Sequence, residues 1–217
     1  YTAQLTEYGQ TGQVVQFYVQ ALSPNGLLSQ MPKDGSSRPA MLVFDTPTGA
    51  GDLRRMRFVV SALDLKAMSD QNSATPPYGY AFPILSNHYF NATIVVNEQD
   101  IIYGCEIRTA GSPWTRGGDI GRAKFKFPED NRFRDKGKLL YRNYDVRYWS
   151  HDRIARYWQY LLGNPTPENE FILVEVNSKG ASVREEVEVI GNDLLNRVYE
   201  EGSQGELYKI DDEWWFR

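Results

Sequence analysis

Most of this 217-residue chain divides into short β-type runs bounded by Gly, Pro, Asn and Asp. Two pairs of runs flank turn-forming residues and predict hairpins, namely residues 89–96 with 101–108 and residues 171–176 with 182–189. Further strands are predicted at the ranges 54–60 and 122–127. With three helical patterns between the strands, the sequence predicts an α+β fold in which an antiparallel sheet carries a few packed helices.

Three segments have helical patterns. Ser61 and Asp64 have the spacing of a capping box, which predicts a short helix after Ser61. Ser150 is a suitable N-cap for a helix over residues 151–162, which Gly163 and Pro165 end. Its apolar residues fall on one face, as in a helix that packs through an apolar stripe: Ile154, Ala155, Trp158, Leu161 and Leu162. A last helix begins at Asn192 and ends before Gly202, with four inward residues, Leu194, Leu195, Val198 and Tyr199.

The predicted organisation has two parts. Residues 1–45 read as the closing strands of an immunoglobulin-like or fibronectin-type-III-like domain, or alternatively as strands of the sheet that follows. Residues 46–52 have the composition of a linker, and residues 53–217 form the second unit. The chain begins without Met and its last residues, Trp214 to Arg217, resemble an unfinished strand. We therefore expect an excerpt of a larger protein.

Composition excludes several classes of function. The net charge is −4, so the chain lacks the basic surplus typical of proteins that bind nucleic acids or anionic membranes. A single cysteine, Cys105, excludes an intramolecular disulfide, and two histidines give little basis for a metal cluster. No run approaches the ~20 apolar residues that a membrane-spanning helix needs.

The strand over residues 122–127 offers the clearest candidate for chemistry. Strand alternation places Ala123, Phe125 and Phe127 on one face and Lys124 and Lys126 on the other. A sheet lysine that faces a cleft can hold nucleotide phosphates, although two solvated lysines on a half-exposed strand are the more common arrangement. The glycine-rich residues 109–118 can approach a phosphate through backbone N–H groups, or can simply connect two strands.

Acidic and aromatic residues supply further candidates. Asp152, in the first turn of its helix, can orient a phosphate-binding lysine or interact with the helix dipole. Glu186 and Glu188 share one face of their strand, where they can do acid–base work or form the wet face of the sheet. Sugar binding by tryptophans, among them Trp158 and Trp214, is a third and weaker possibility.

Several short motifs, read in order, resemble the spore-coat CotH kinase-like family. Tyr103 to Arg108 resembles the strand that ends in a VGVR-type motif, and Lys124 to Phe127 resembles the KxKF strand. Asp152 to Ala155 is similar to the REKLA helix with Asp in place of Glu, and Leu162 to Pro165 to the lGxP that follows it. Three later matches are Val174 to Gly180 (vxVNGk), Val183 to Glu188 (vyxxvE) and Gly205 to Lys209 (GxLYK).

The resemblance implies a kinase-like fold that binds ATP and Mg²⁺ and phosphorylates serine in secreted or cell-surface proteins. It assigns phosphate contacts to Lys126 and Lys124, with Asp152 or Glu188 orienting the lysine. The family's catalytic and metal-binding aspartates follow its GxLYK motif, so the resemblance assigns no catalytic or metal-binding residue here and implies that these residues alone are inactive. The alternative is a non-catalytic extracellular protein that uses the fold as a scaffold for other surface proteins. Both readings imply an extracytoplasmic location.

Overall fold

The computed structural model describes residues 9–45, 51–72, 87–111, 120–142 and 151–208. Its eleven strands are β1 (Val14–Phe17), β2 (Val19–Leu22), β3 (Leu28–Met31), β4 (Ala40–Val43), β5 (Arg55–Val59), β6 (Phe90–Val96), β7 (Asp100–Thr109), β8 (Ala123–Lys126), β9 (Lys138–Arg142), β10 (Asn169–Val176) and β11 (Lys179–Glu188). Its three α-helices are α1 (Ala62–Asn72), α2 (His151–Leu161) and α3 (Asn192–Val198). These counts refer to the described ranges, in which strands dominate.

Seven of the strands close into a barrel in the order β5, β6, β7, β8, β9, β11, β10 and back to β5. Six of the pairings are antiparallel, and the seventh, between β5 and β10, is parallel. Because the barrel is closed, each of its seven strands is hydrogen-bonded to a neighbour on both sides. This removes the open sheet edges through which strands of different molecules can aggregate.

The barrel interior is the hydrophobic core. Phe58, Phe125 and Tyr141 come from three different strands, are fully buried, and have ring centroids 5.0 to 6.1 Å apart. The Tyr141 hydroxyl donates to the carbonyl oxygen of Ile120, 3.1 Å away, so its polar end is satisfied. Because the interior is filled by side chains from all around the barrel, the core does not need a helix to cover it.

The expected α+β architecture of a kinase-like sheet with packed helices is therefore wrong. The protein is mostly β, and its sheet buries its apolar face by closing on itself. The three described helices are short, and α2 contributes no buried residue. The sequence pattern indicated most of the barrel strands, but it indicated neither β9 nor the pairing of β5 with β10 that closes the barrel.

Several local predictions are confirmed. Both predicted hairpins form, as β6 with β7 and β10 with β11. The Ser61 hydroxyl accepts from the backbone N–H of Asp64 at 3.0 Å and donates to its carboxylate at 2.8 Å, which is the predicted start of α1. In β8, Ala123 and Phe125 are fully buried whereas Lys124 and Lys126 face outward. Sequence analysis did not predict β9.

The N-terminal strands form two small sheets, β1 with β4 and β2 with β3, beside the barrel. The backbone N–H of Met41 donates to the Thr93 hydroxyl at 2.9 Å, and the side-chain amide of Asn91 donates to the carbonyl oxygen of Pro39 at 2.7 Å. Met41 is fully buried at this contact. The division into residues 1–45, 46–52 and 53–217, with the first as the end of an immunoglobulin-like domain, stays a prediction.

Helix α2 forms where expected but presents its apolar stripe to solvent. Trp158 is 66% exposed and Leu162 is 76% exposed. The face toward the barrel carries Arg153 and Arg156 instead, because the outer wall of β10 and β11 offers them Phe171 and Glu185. The prediction that Tyr199 of the last helix faces inward is also wrong, since 45% of this residue is exposed.

Candidate ligand-binding site

A cavity of about 630 Å³ lies between α2 and one end of the barrel. Its volume is in the range of pockets that take small-molecule ligands. The barrel supplies Leu139, Asn169, Glu170 and Glu186, and α3 supplies Arg197. The remaining lining residues come from α2 and from the segments before β9 and β10: Arg134, Lys136, Arg153, Ile154, Arg156, Tyr157, Tyr160, Thr166, Pro167 and Glu168.

Cationic groups dominate the polar part of this lining, which has four arginines and a lysine against three glutamates. Most of the cations are held by carboxylates. Lys136 Nζ lies 2.8 Å from Glu168, and Arg134 pairs with Glu170. Burial lowers the pKa of Arg134, but the hydrogen bond to Glu170 and the attraction of Glu170, Glu186 and Glu168 together outweigh burial, so the pKa is raised. Such pairing fixes the direction in which each cation points.

Arg153 differs from the other cations of the cavity. Its guanidinium lies over the ring of Phe171, 4.8 Å from the centroid, and it has no carboxylate partner among the described residues. A guanidinium held by an aromatic ring keeps its N–H donors available for an anion. Tyr157 and Tyr160 lie on the same wall, so Arg153 adjoins two aromatic surfaces.

Glu186 is the most deeply buried acid of the lining. Its side chain is 6% exposed, and Oε1 accepts from Nη2 of Arg54 at 2.6 Å. Its second oxygen, Oε2, is buried without a hydrogen-bond partner within the described residues. Burial raises the pKa of Glu186, and the attraction of Arg54 opposes that rise without cancelling it. Folding therefore favours the protonated form of Glu186.

Glu188, one of the four predicted site residues, lies directly behind the cavity wall. Its side chain is 1% exposed and lies 2.5 Å from Nη2 of Arg197. It also accepts from the backbone N–H of Glu168 at 3.1 Å, and Lys136 Nζ lies 3.8 Å away. The hydrogen bond to Glu188 is the main cause of the raised pKa of Arg197. Glu188 therefore positions two lining cations rather than facing the cavity itself.

Lys126, the predicted phosphate-binding lysine, lies on the outer wall of the barrel and does not line the cavity. Its Nζ is 2.9 Å from Glu106, the residue opposite it on β7, and 3.8 Å from the ring centroid of Tyr89. Glu106 is also bound by Arg38 at 2.5 Å. The structure thus pairs Lys126 with Glu106 rather than with Asp152 or Glu188. Lys124 lies on the same outer face, two residues earlier.

Asp152 holds α2 to the barrel. Its Oδ2 accepts from Nη1 of Arg142 on β9 at 2.9 Å, and Arg156 Nη2 lies 3.8 Å away. The four predicted site residues therefore occupy three places: the outer wall, the base of α2 and the back of the cavity. Whether Lys126 contacts a phosphate stays a prediction.

The main lining residues, Arg153, Tyr157, Tyr160, Arg134 and Arg197, were not predicted as a site. The sequence signal for the α2 residues is that Arg153, Tyr157 and Tyr160 recur at helical spacing of three or four residues, beside the apolar stripe rather than in it. Residues 112–118 of the glycine-rich segment and Trp214 lie outside the described residues. Within the described ranges, no group of three or more His, Cys, Asp or Glu side chains is arranged to hold a metal ion, and no helix is long and apolar enough to cross a membrane.

Fold and site together define a closed β-barrel with a basic, aromatic-lined cavity at its side. No protein-family model matches the chain, and neither does any curated protein.

Proposed function

We propose that the cavity binds a phosphorylated ligand with a planar ring, most specifically a nucleotide such as ATP, and that the chain is the nucleotide-binding part of an extracytoplasmic CotH-like phosphotransferase. The observation that carries the proposal is Arg153, a guanidinium without a carboxylate partner among the described residues, beside Tyr157 and Tyr160 in a cavity of nucleotide size. The motif resemblance points independently to the same ligand class.

The lining fits the two halves of a nucleotide. Arg153 can donate two parallel hydrogen bonds to a phosphate group, which is the geometry that guanidinium favours. A tyrosine ring can stack on a planar base, and Ile154 adds an apolar contact at the same wall. The other cations of the lining are oriented by their carboxylates, so Arg153 is the group that supplies positive charge to the phosphate.

The lining does not by itself fit Mg²⁺. Glu168, Glu170 and Glu186 each interact with an arginine or a lysine, and the described residues contain no metal-binding group. No step of the proposal therefore uses a metal ion. The role of this chain is to bind and orient the nucleotide, and a protein substrate belongs to the proposal only through the resemblance.

Thermal unfolding of the chain with and without ATP tests the proposal, and titration calorimetry gives the affinity. We expect ATP to raise the melting temperature and tripolyphosphate to raise it less. Arg153→Gln should weaken ATP binding about 10- to 100-fold, since a hydrogen bond to a charged group contributes about 1.5–3 kcal/mol. Lys126→Gln is the matched control, because this lysine also contacts an aromatic ring but lies on the outer wall.

The two variants separate the two possible sites. If Lys126→Gln abolishes ATP binding and Arg153→Gln leaves it unchanged, the nucleotide binds at the outer wall and the cavity proposal is wrong. If neither ATP nor tripolyphosphate stabilises the chain, the proposal of a phosphorylated ligand fails. The ion pairs of the cavity would then serve the fold, and the non-catalytic interaction protein would be the better description.

A further inference from the structure

The outer wall of the barrel carries a cluster of positive charge where β7, β8 and β9 lie side by side. Seven side chains in this paired stretch point away from the core, and two of them are Glu106 and Leu140. The other five, which we call the basic wall, are all cations: Arg108, Lys124, Lys126, Lys138 and Arg142. Because the whole chain has a net charge of −4, this face has the opposite sign to the molecule.

The strand register places like charges of the basic wall next to each other. Arg108 is directly opposite Lys124, and Lys126 is directly opposite Lys138. Side chains in such positions lie about 5 Å apart at their Cβ atoms, and like charges there destabilise a sheet. Glu106 offsets part of this repulsion, since it pairs with Lys126 at 2.9 Å. An anion placed between the two cations of a pair replaces repulsion with attraction.

One cation in each pair keeps its charge without a carboxylate partner among the described residues. Arg108 donates to two neutral oxygens, the side-chain oxygen of Asn87 at 2.8 Å and the backbone carbonyl of Thr109 at 2.9 Å. Lys138 is exposed and has no ion pair within the described ranges. Both like-charge pairs therefore have positive charge available for an anion from outside the chain.

The spacing of the two pairs selects the shape of that anion. Lys124 and Lys126 are two residues apart on β8, so the pairs lie about 7 Å apart along the strand. An extended polypeptide presents alternate side chains on one face at the same interval. Single-stranded nucleic acid, in contrast, binds through bases stacked on open aromatic rings. The ring of Tyr89 is already contacted by Arg108 at 5.3 Å and by Lys126 at 3.8 Å from its centroid.

We propose that the basic wall binds an acidic segment of another protein, extended along β8, with two acids one residue apart at the Arg108–Lys124 and Lys126–Lys138 pairs. A short segment contacts this wall alone, whereas a membrane or a long nucleic acid would also face the negative remainder of the chain. No residue of the basic wall lines the cavity, so the proposal does not depend on nucleotide binding.

Fluorescence anisotropy with the full chain and a short labelled peptide, in which Glu alternates with Ser, tests the proposal. A second peptide repeats Glu-Glu-Ser-Ser, which keeps the charge but never places two acids one residue apart. We expect the alternating peptide to bind at least threefold more tightly than the second, and added salt to weaken its binding. Equal affinity of the two peptides would overturn the proposed spacing, and absence of binding at low salt would overturn the site.

The double variant Lys124→Gln with Lys138→Gln removes one cation from each pair. It should weaken binding of the alternating peptide about 3- to 30-fold, while its melting temperature stays unchanged or rises because two repulsive contacts are lost. Lys33→Gln with Lys179→Gln is the matched control, since it changes the net charge equally at two exposed lysines elsewhere. Equal weakening by both double variants would show a bulk charge effect and overturn the proposal. Tighter binding of single-stranded DNA, lost in the same wall variant, would overturn it in favour of a nucleic-acid surface.

Discussion

The contact between Arg156 and Glu185 should contribute far more to stability than the other ion pairs of α2. Glu185 is fully buried, and Arg156 Nη1 donates to it at 2.6 Å while Asn169 donates from a second direction. Arg156→Met keeps the apolar stem but removes the guanidinium that pairs with the buried carboxylate. Breaking a buried pair in this way costs about 3–5 kcal/mol. We expect the lower end, about 3 kcal/mol, because the Asn169 hydrogen bond remains.

Urea unfolding followed by circular dichroism measures this loss, and in a thermal scan it corresponds to a melting temperature lower by about 6–12 °C. The control is Arg142→Met, which removes the pair with Asp152. Both partners of that pair are a third or more exposed, so its loss should cost at most about 1 kcal/mol. The double variant Arg156→Met with Glu185→Gln should recover most of the stability, since no charge is then buried. Equal losses for Arg156→Met and Arg142→Met would refute the reasoning.

Two further predictions concern stability. Burial raises the pKa of Glu186 above its ordinary value of 4.5, so the folded chain keeps this proton while the unfolded chain loses it as the pH rises through 4.5. Its contribution is therefore fully present below pH 4.5 and is lost as the pH passes the folded pKa. Urea unfolding between pH 4.5 and 7.5 should show that Glu186→Gln removes this decline, and an unchanged slope would contradict the assignment. Ser61→Ala should cost about 1 kcal/mol through loss of the α1 cap, whereas Ser61→Asn, another good cap, should cost much less. Thermal unfolding of the two variants compares them, and equal losses would show that the cap contributes little.

The sequence was most informative where structure depends on neighbouring residues. Alternation in β8 placed Phe125 inside and Lys126 outside, and the capping box at Ser61 marked the start of α1. Both features follow from contacts within a few residues. Strand β9 was missed because a strand of five residues gives a weak periodic signal.

Neither the closure of the barrel nor the cavity could be predicted from the periodicity of the sequence. Alternation shows which side of a strand is apolar, but not which strand lies beside it. The amphipathic pattern of α2 likewise identified its apolar side, but the partner of the helix decided its orientation. The barrel wall presented Glu185 and Phe171, so the arginines turned inward. Arg153 and Arg197 come together only through that arrangement.

The parallel pairing of β5 with β10 has a consequence for synthesis. Arg55 and Glu175, which meet at this seam, are 120 residues apart in the chain. Ribosomes add about 5–20 residues per second, so β10 is synthesised roughly 6–24 s after β5. During that interval the nascent sheet presents open backbone hydrogen-bonding groups. We therefore expect the barrel to close only after β10 is synthesised, and a pause in translation before residue 169 to favour aggregation more than a pause after residue 188.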